Sequence, residues 1–348
     1  MAETKSTTDI PELGSDSGAV PIFADTDADM ASARAEQWVQ PIPDLVDPLG
    51  RMSTVFGQWA GLPVNGAAFL LQAMHPVIGS VVDRFSVYDT DPLGRAIRSF
   101  DAVQQWTFGG KAAIEHGYWL RTMHQPLQMT SPEGQHISAL HPGAYAWVIA
   151  TAFPSAVWSA PLILGRKYTE AEEDELYQDM LRLARITQVP KNQIPASRAE
   201  FWPYFDKMVD EVLENTYVAN NIVHNLSKNP PLTVPRQVPR PLRPATKRLA
   251  QTAAAIPAEV LRLTLIGTLP ANIREILNVS WSRTEELELQ AAFRVYRGIL
   301  KTLPERVTYA PLAYHARKHQ RIVNAMRKRE LTDFTAHDKQ QNEARCPF

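Results

Sequence analysis

The chain has 348 residues, of which 45% are hydrophobic and 21% charged, and its formal net charge is −1. That is globular composition, long enough for a sizeable core in one or two domains, with no overall field to draw nucleic acid or an anionic membrane. The one cysteine, Cys346, excludes an intrachain disulfide and a cysteine zinc cluster and fits a reducing, cytoplasmic setting.

Residues 1–35 open acidic and polar (MAETKSTTDIPELGSDSG), with neither a basic start nor an apolar run, and are expected to form a flexible segment without a secretory signal. Residues 61–82 are apolar but carry Asn65, Gln72, His75 and Pro76, which are costly in lipid. The helix expected there closes on His75-Pro76. In DPLGRAIRS (91–99), Arg95, Arg98 and Ser99 stand at i, i+3 and i+4, on one side of a helix. Salt bridges to Asp83, Asp89, Asp91 or Asp101 are the ordinary use of such arginines. The FGG at 108–110 follows a helical pattern, which argues against a phosphate loop. In WLRTMHQPL (119–127), Arg121 and His124 lie one helical turn apart, and Pro126 follows two residues later. Such a histidine is either core filler or the centre of the chemistry.

Residues 142–165 carry no charge and meet the length of a membrane span, but Pro154 and the scattered Ser and Thr point to a buried core helix broken in two. Residues 168–186 repeat Leu176, Met180, Leu183 and Ile186 at helical spacing behind a Thr169–Glu172 capping box. The stretch 229–247 holds six prolines, so it is extended, as a seam between domains or a strap across one. Helices are expected in 248–267, 270–279 and 283–303. In the last segment, 315–330, six Lys/Arg face one Glu. It is read as a solvated basic helix or a peripheral membrane contact, and the two histidines of HARKH lack a third metal ligand. Strand signals are scarce, so the fold class is all-α.

No GxSxG elbow, HExxH, CxxC, CxxCH or Walker loop is present. What remains are polar groups set in apolar helices: His75, the Arg95–Ser99 group and the Arg121–His124 pair. Unpaired burial would cost a few kcal/mol for each.

In order and wording, NGAAFLLQAMHPVIGSVVDRFSVYDTDPLGRAIRS (65–99), FGGKAAIEHGYWLRTMHQPLQMTSPEGQHI (108–137), AWVIATAF (146–153), VPRPLRPATKRL (238–249) and LPERVTYAP (303–311) resemble a family of helical haem proteins. That family includes the bacterial latex-clearing proteins and the fungal MpaB-type oxygenase of mycophenolic acid synthesis. The resemblance covers about residues 40–315. It implies a single helical domain over 36–315 with a haem-binding core, the proline stretch as an internal strap, and 316–348 as basic helix and tail.

It further implies a b-type haem whose iron is held by His124, with Arg121 on a propionate and His75 near the cofactor. Arg95 and Ser99 match the family's distal Arg-x-x-x-Thr pair, with serine in place of threonine. Arg98 stands where rubber-cleaving members have a lysine, and guanidinium is a poor iron ligand. Asp83 is the nearest candidate for the distal acid. On a helix, His124 could give one ring N–H to the Leu120 carbonyl, and Pro126, unable to donate to Thr122, would kink or end the helix just past it. The expected activity is a haem b oxygenase using O2 on an apolar substrate such as an isoprenoid or another alkene. A haem store, carrier or sensor, and a lipid-binding scaffold that has lost its haem, are the rival readings.

Overall fold

Alternation of apolar positions at helical spacing makes this chain a stack of helices. The computed structural model describes residues 44–59, 61–132, 134–226 and 259–338. The expected flexible segment 1–35, the proline stretch 229–247 and the Cys346 tail lie outside the described residues. The described order is α1 (Arg51–Gly57), α2 (Gly61–Ala73), α3 (Pro76–Phe85), α4 (Pro92–Phe108) and α5 (Lys111–His124). A two-stranded ribbon follows, β1 (Gln128–Thr130) and β2 (His136–Ser138). Then come α6 (Pro142–Ala150), α7 (Ala152–Ile163), α8 (Glu170–Ile186), α9 (Arg198–Glu211) and α10 (Tyr217–Leu226). After the undescribed stretch, residues 259–267 form α11, followed by α12 (Ala271–Ile276), α13 (Arg283–Thr302), α14 (Glu305–Thr308) and α15 (Pro311–Asp338). The last helix carries the basic stretch 315–330, beginning a turn earlier at Pro311.

The centre of the fold is the charge-free α6–α7 pair. Pro142–Ile163 is long and apolar enough to cross a membrane, but 72% of its most apolar window is buried inside the protein. Trp147 and Phe153 are fully buried. Phe153 packs edge-on against Tyr177 of α8 and Phe201 of α9, and Trp147 stacks on Phe205 at 5.6 Å. The break falls at Thr151, three residues before the expected Pro154. The physical reason is still the proline: without an N–H it cannot close a helical bond onto the Ala150 carbonyl, so the register changes one turn upstream. Gln72 of α2 fills the gap, its Nε2 donating to the Val148 carbonyl (3.1 Å) and to Thr151 Oγ1 (3.0 Å). At the far end, Arg297 of α13 donates to the Leu162 carbonyl (2.6 Å), meeting an acceptor that the end of α7 leaves open.

Local signals that are complete within one turn are realised as expected. Thr169 and Glu172 form a reciprocal capping box at the start of α8. Ser282 and Glu285 do the same for α13. The ribbon was not expected. It pairs Met129 with Ile137 and turns through Gly134, whose φ of 84° suits glycine. Three residues a side are too few for an alternating pattern to register.

Candidate active site

Helix α4 begins where Asp91 accepts from the Gly94 N–H (3.0 Å). It carries Arg95, Arg98 and Ser99, and the fold separates them. Arg98 is exposed and pairs with Asp91 at 3.3 Å. Arg95 turns inward, half-buried, with its guanidinium 5.4 Å from the centre of the Phe69 ring. Its Nε donates to Ser86 Oγ (3.3 Å) and its Nη1 to Ser99 Oγ. The Ser99 hydroxyl in turn donates to the Arg95 carbonyl (3.0 Å). Ser99 therefore spends its proton on the backbone and serves to aim Arg95, whose remaining N–H groups have no carboxylate partner among the described residues. Burial lowers the Arg95 pKa, and the Arg98 charge adds to this.

Helix α5 leaves the FGG corner at Gly110 (φ 59°), which confirms a helix-to-helix turn. It ends at His124, with Gln125 as its cap, just ahead of Pro126. His124 Nδ1 lies 2.7 Å from the Leu120 carbonyl. A carbonyl can only accept, so Nδ1 carries the proton and Nε2 keeps its lone pair. No described residue bonds to Nε2. Burial holds the His124 pKa below the usual histidine value, and the Arg95 charge pushes the same way against the Leu120 carbonyl. Arg95 therefore lies within electrostatic range of His124, although the two come from different helices.

Behind His124 lies a corner that the sequence did not disclose. Arg121 sits 5.8 Å from the Tyr145 ring centre and donates to the Gln188 carbonyl at 3.3 Å. Tyr145 stands edge-on to His124 at 6.4 Å and donates to the Thr187 carbonyl at 2.7 Å. Burial pushes the Tyr145 phenol up to about 12, so it remains a donor. Tyr145 is the one phenol in the charge-free segment 142–165, and that was the only sequence signal for it. The corner can form because Gly117, two turns before His124, abuts the end of α8. A Cβ there would overlap the Ile186 carbonyl oxygen, 2.9 Å from its carbon and 3.3 Å from Thr187 Cα.

Two candidates lie elsewhere. Asp83 is exposed on α3 and accepts from the Tyr88 hydroxyl at 3.4 Å; no described contact joins it to Arg95 or His124. His75 is buried as the N-cap of α3, its Nδ1 accepting from the Val77 N–H at 3.2 Å. Burial first, then the charge of His141, lowers its pKa to about 4 from 6.5. Since the folded value lies below the unfolded one, the stabilisation is complete above pH 6.5 and is lost as pH falls toward 4. A shift of that size corresponds to about 3 kcal/mol. His75→Asn keeps a capping acceptor without the titration. The fall in melting temperature between pH 7 and pH 5 is expected to be clearly smaller in the variant, and an unchanged fall would refute this.

A model of the family described as "ER-bound oxygenase mpaB/B'/Rubber oxygenase, catalytic domain" matches residues 53–298. No curated protein and no solved structure matches the chain.

Proposed function

The chain belongs to this family of oxygenase catalytic domains, and from that premise we propose that it is a haem b-dependent oxygenase acting with O2 on an apolar substrate that carries an alkene, such as an isoprenoid. The observation that carries the reading is His124: a neutral imidazole with Nδ1 locked on its own helix and Nε2 bonded to no described residue, within electrostatic range of the inward Arg95 guanidinium. That donor set fits a haem iron, which needs a neutral nitrogen on one face and room for a small ligand on the other.

His124 would hold the iron, and Arg121 would pair with a carboxylate of the porphyrin edge. Haem, when bound, supplies the redox chemistry by which dioxygen is activated. The protein's own part is positional and electrostatic. The Leu120 carbonyl fixes the imidazole tautomer and raises its basicity. Ser86 and Ser99 hold Arg95 in place, and its unused N–H groups would be available to donate to negative charge that develops on an oxygen substrate. The exposed Arg98 and Asp83 are left outside these roles.

Oxygen uptake by haem-loaded protein, given an apolar polyene, tests the reading. Uptake that requires the alkene is expected. Arg95→Met should lower it roughly tenfold, the loss of one hydrogen bond to a charged group, with the Soret band intact. Haem binding without uptake would favour the store or sensor. Absence of haem from protein made with ample supply would leave the lipid-binding scaffold.

A further inference from the structure

Helix α13 is apolar on two sides, and its packing accounts for one of them. Leu289 and Phe293 are buried, and Arg297 ties the helix to the end of α7 through the Leu162 carbonyl. On the other side Leu287, Val295 and Ile299 stand 59%, 64% and 47% exposed, and Leu303, just past the helix, 42%. With Ala291, also exposed, these residues recur at every fourth position, so they form one strip that winds slowly round the helix. Single exposed apolar side chains are ordinary, but a continuous strip along a helix marks a contact surface.

Charge says what kind. Arg294 and Lys301 are exposed two turns apart on one edge of the strip, and Arg306 is exposed beyond them. None of the three pairs with a described carboxylate, and the one exposed acid over residues 287–307 is Glu288. We propose that this face of α13 docks on an anionic lipid surface, the strip entering the headgroup boundary and the cations meeting the headgroups. A second copy of the chain fits less well, because a twofold contact through the strip would set Arg294 and Lys301 against their own copies. The basic stretch 315–330, the contact suggested by sequence, spends Arg317 and Arg321 on Glu305. The proposal does not rest on the haem reading; the two meet only in that a bilayer is where an apolar alkene dissolves.

The test is co-sedimentation of the full chain with vesicles of phosphatidylcholine alone and of phosphatidylcholine with about 30% phosphatidylserine. Wild type should bind the anionic vesicles and lose most of that binding in high salt. Val295→Asp places a charge in the strip and should weaken the binding about tenfold. Arg294→Gln together with Lys301→Gln should weaken it about thirtyfold on anionic vesicles and change little on neutral ones, as expected for two cations near a charged surface. All three side chains are exposed, so the variants should melt with wild type. Wild type that binds neither vesicle, or variants that bind the anionic vesicles as wild type does, overturn the proposal. So does a wild-type dimer, seen by light scattering, that Val295→Asp dissolves while no vesicle is bound; the strip would then belong to a second copy.

Discussion

His124→Ala is expected to abolish the Soret band of protein purified after expression with ample haem, while circular dichroism and melting stay close to wild type. The asymmetry follows from the position of the residue. His124 is half-buried at the last residue of α5, so its removal opens little core, and the Leu120 carbonyl it leaves is at a helix end that water can reach. The iron, by contrast, would lose its only protein ligand among the residues assembled here. Added imidazole should restore part of the band, because the missing group is a neutral nitrogen and its site is intact. Acid should release haem from wild type. Burial keeps the ring neutral at neutral pH, and protonation removes the lone pair on Nε2. A variant with a wild-type spectrum would end the ligand assignment.

Gly117→Ala should be the most damaging small substitution on α5. Alanine in a helix interior normally gains about 1 kcal/mol over glycine. Here its methyl would overlap the Ile186 carbonyl oxygen and crowd Thr187 Cα at 3.3 Å, both backbone atoms that cannot rotate away. Relief requires α5 and the end of α8 to separate, which outweighs the gain and leaves a net cost of about 3 kcal/mol. A melting temperature lower by roughly 5 °C is the expected reading. The same separation would pull Arg121 from the Gln188 carbonyl and Tyr145 from its place beside His124, so hemin affinity should fall with stability. Stability equal to wild type would show that the two helices do not meet as closely as described. A stable variant with wild-type hemin binding would further uncouple the contact from the site.

Much of this could be read from residues a few positions apart. The Thr169–Glu172 box, the end of α5 ahead of Pro126 and the bond from His124 to Leu120 each depend on backbone geometry within one turn. Those rules hold wherever the helix is later placed. The FGG corner and the core placement of 142–165 were legible for similar reasons, since glycine frees φ and a charge-free run seeks burial. Pro154 announced a broken helix but not the residue at which it breaks, because Gln72 from another helix fills the gap at Thr151.

The active-site reading divides along the same line. The sequence by itself determined that this is an all-α chain, that it resembles a family of oxygenases, and that His124 stands one turn beyond a carbonyl, Leu120, that can fix its tautomer. Only the tertiary structure decided that Arg95 turns inward, within electrostatic range of His124, while Arg98 faces solvent, for both arginines lie on one helix and local spacing treats them alike. It also decided that Ser99 aims Arg95, that His75 caps α3, and that Tyr145 and Gln188 close the corner behind His124. These depend on which surfaces of α4, α5, α6 and α8 are pressed together. Burial and electrostatic pairing are properties of that packing, between residues far apart in the chain, and no short stretch of sequence contains them.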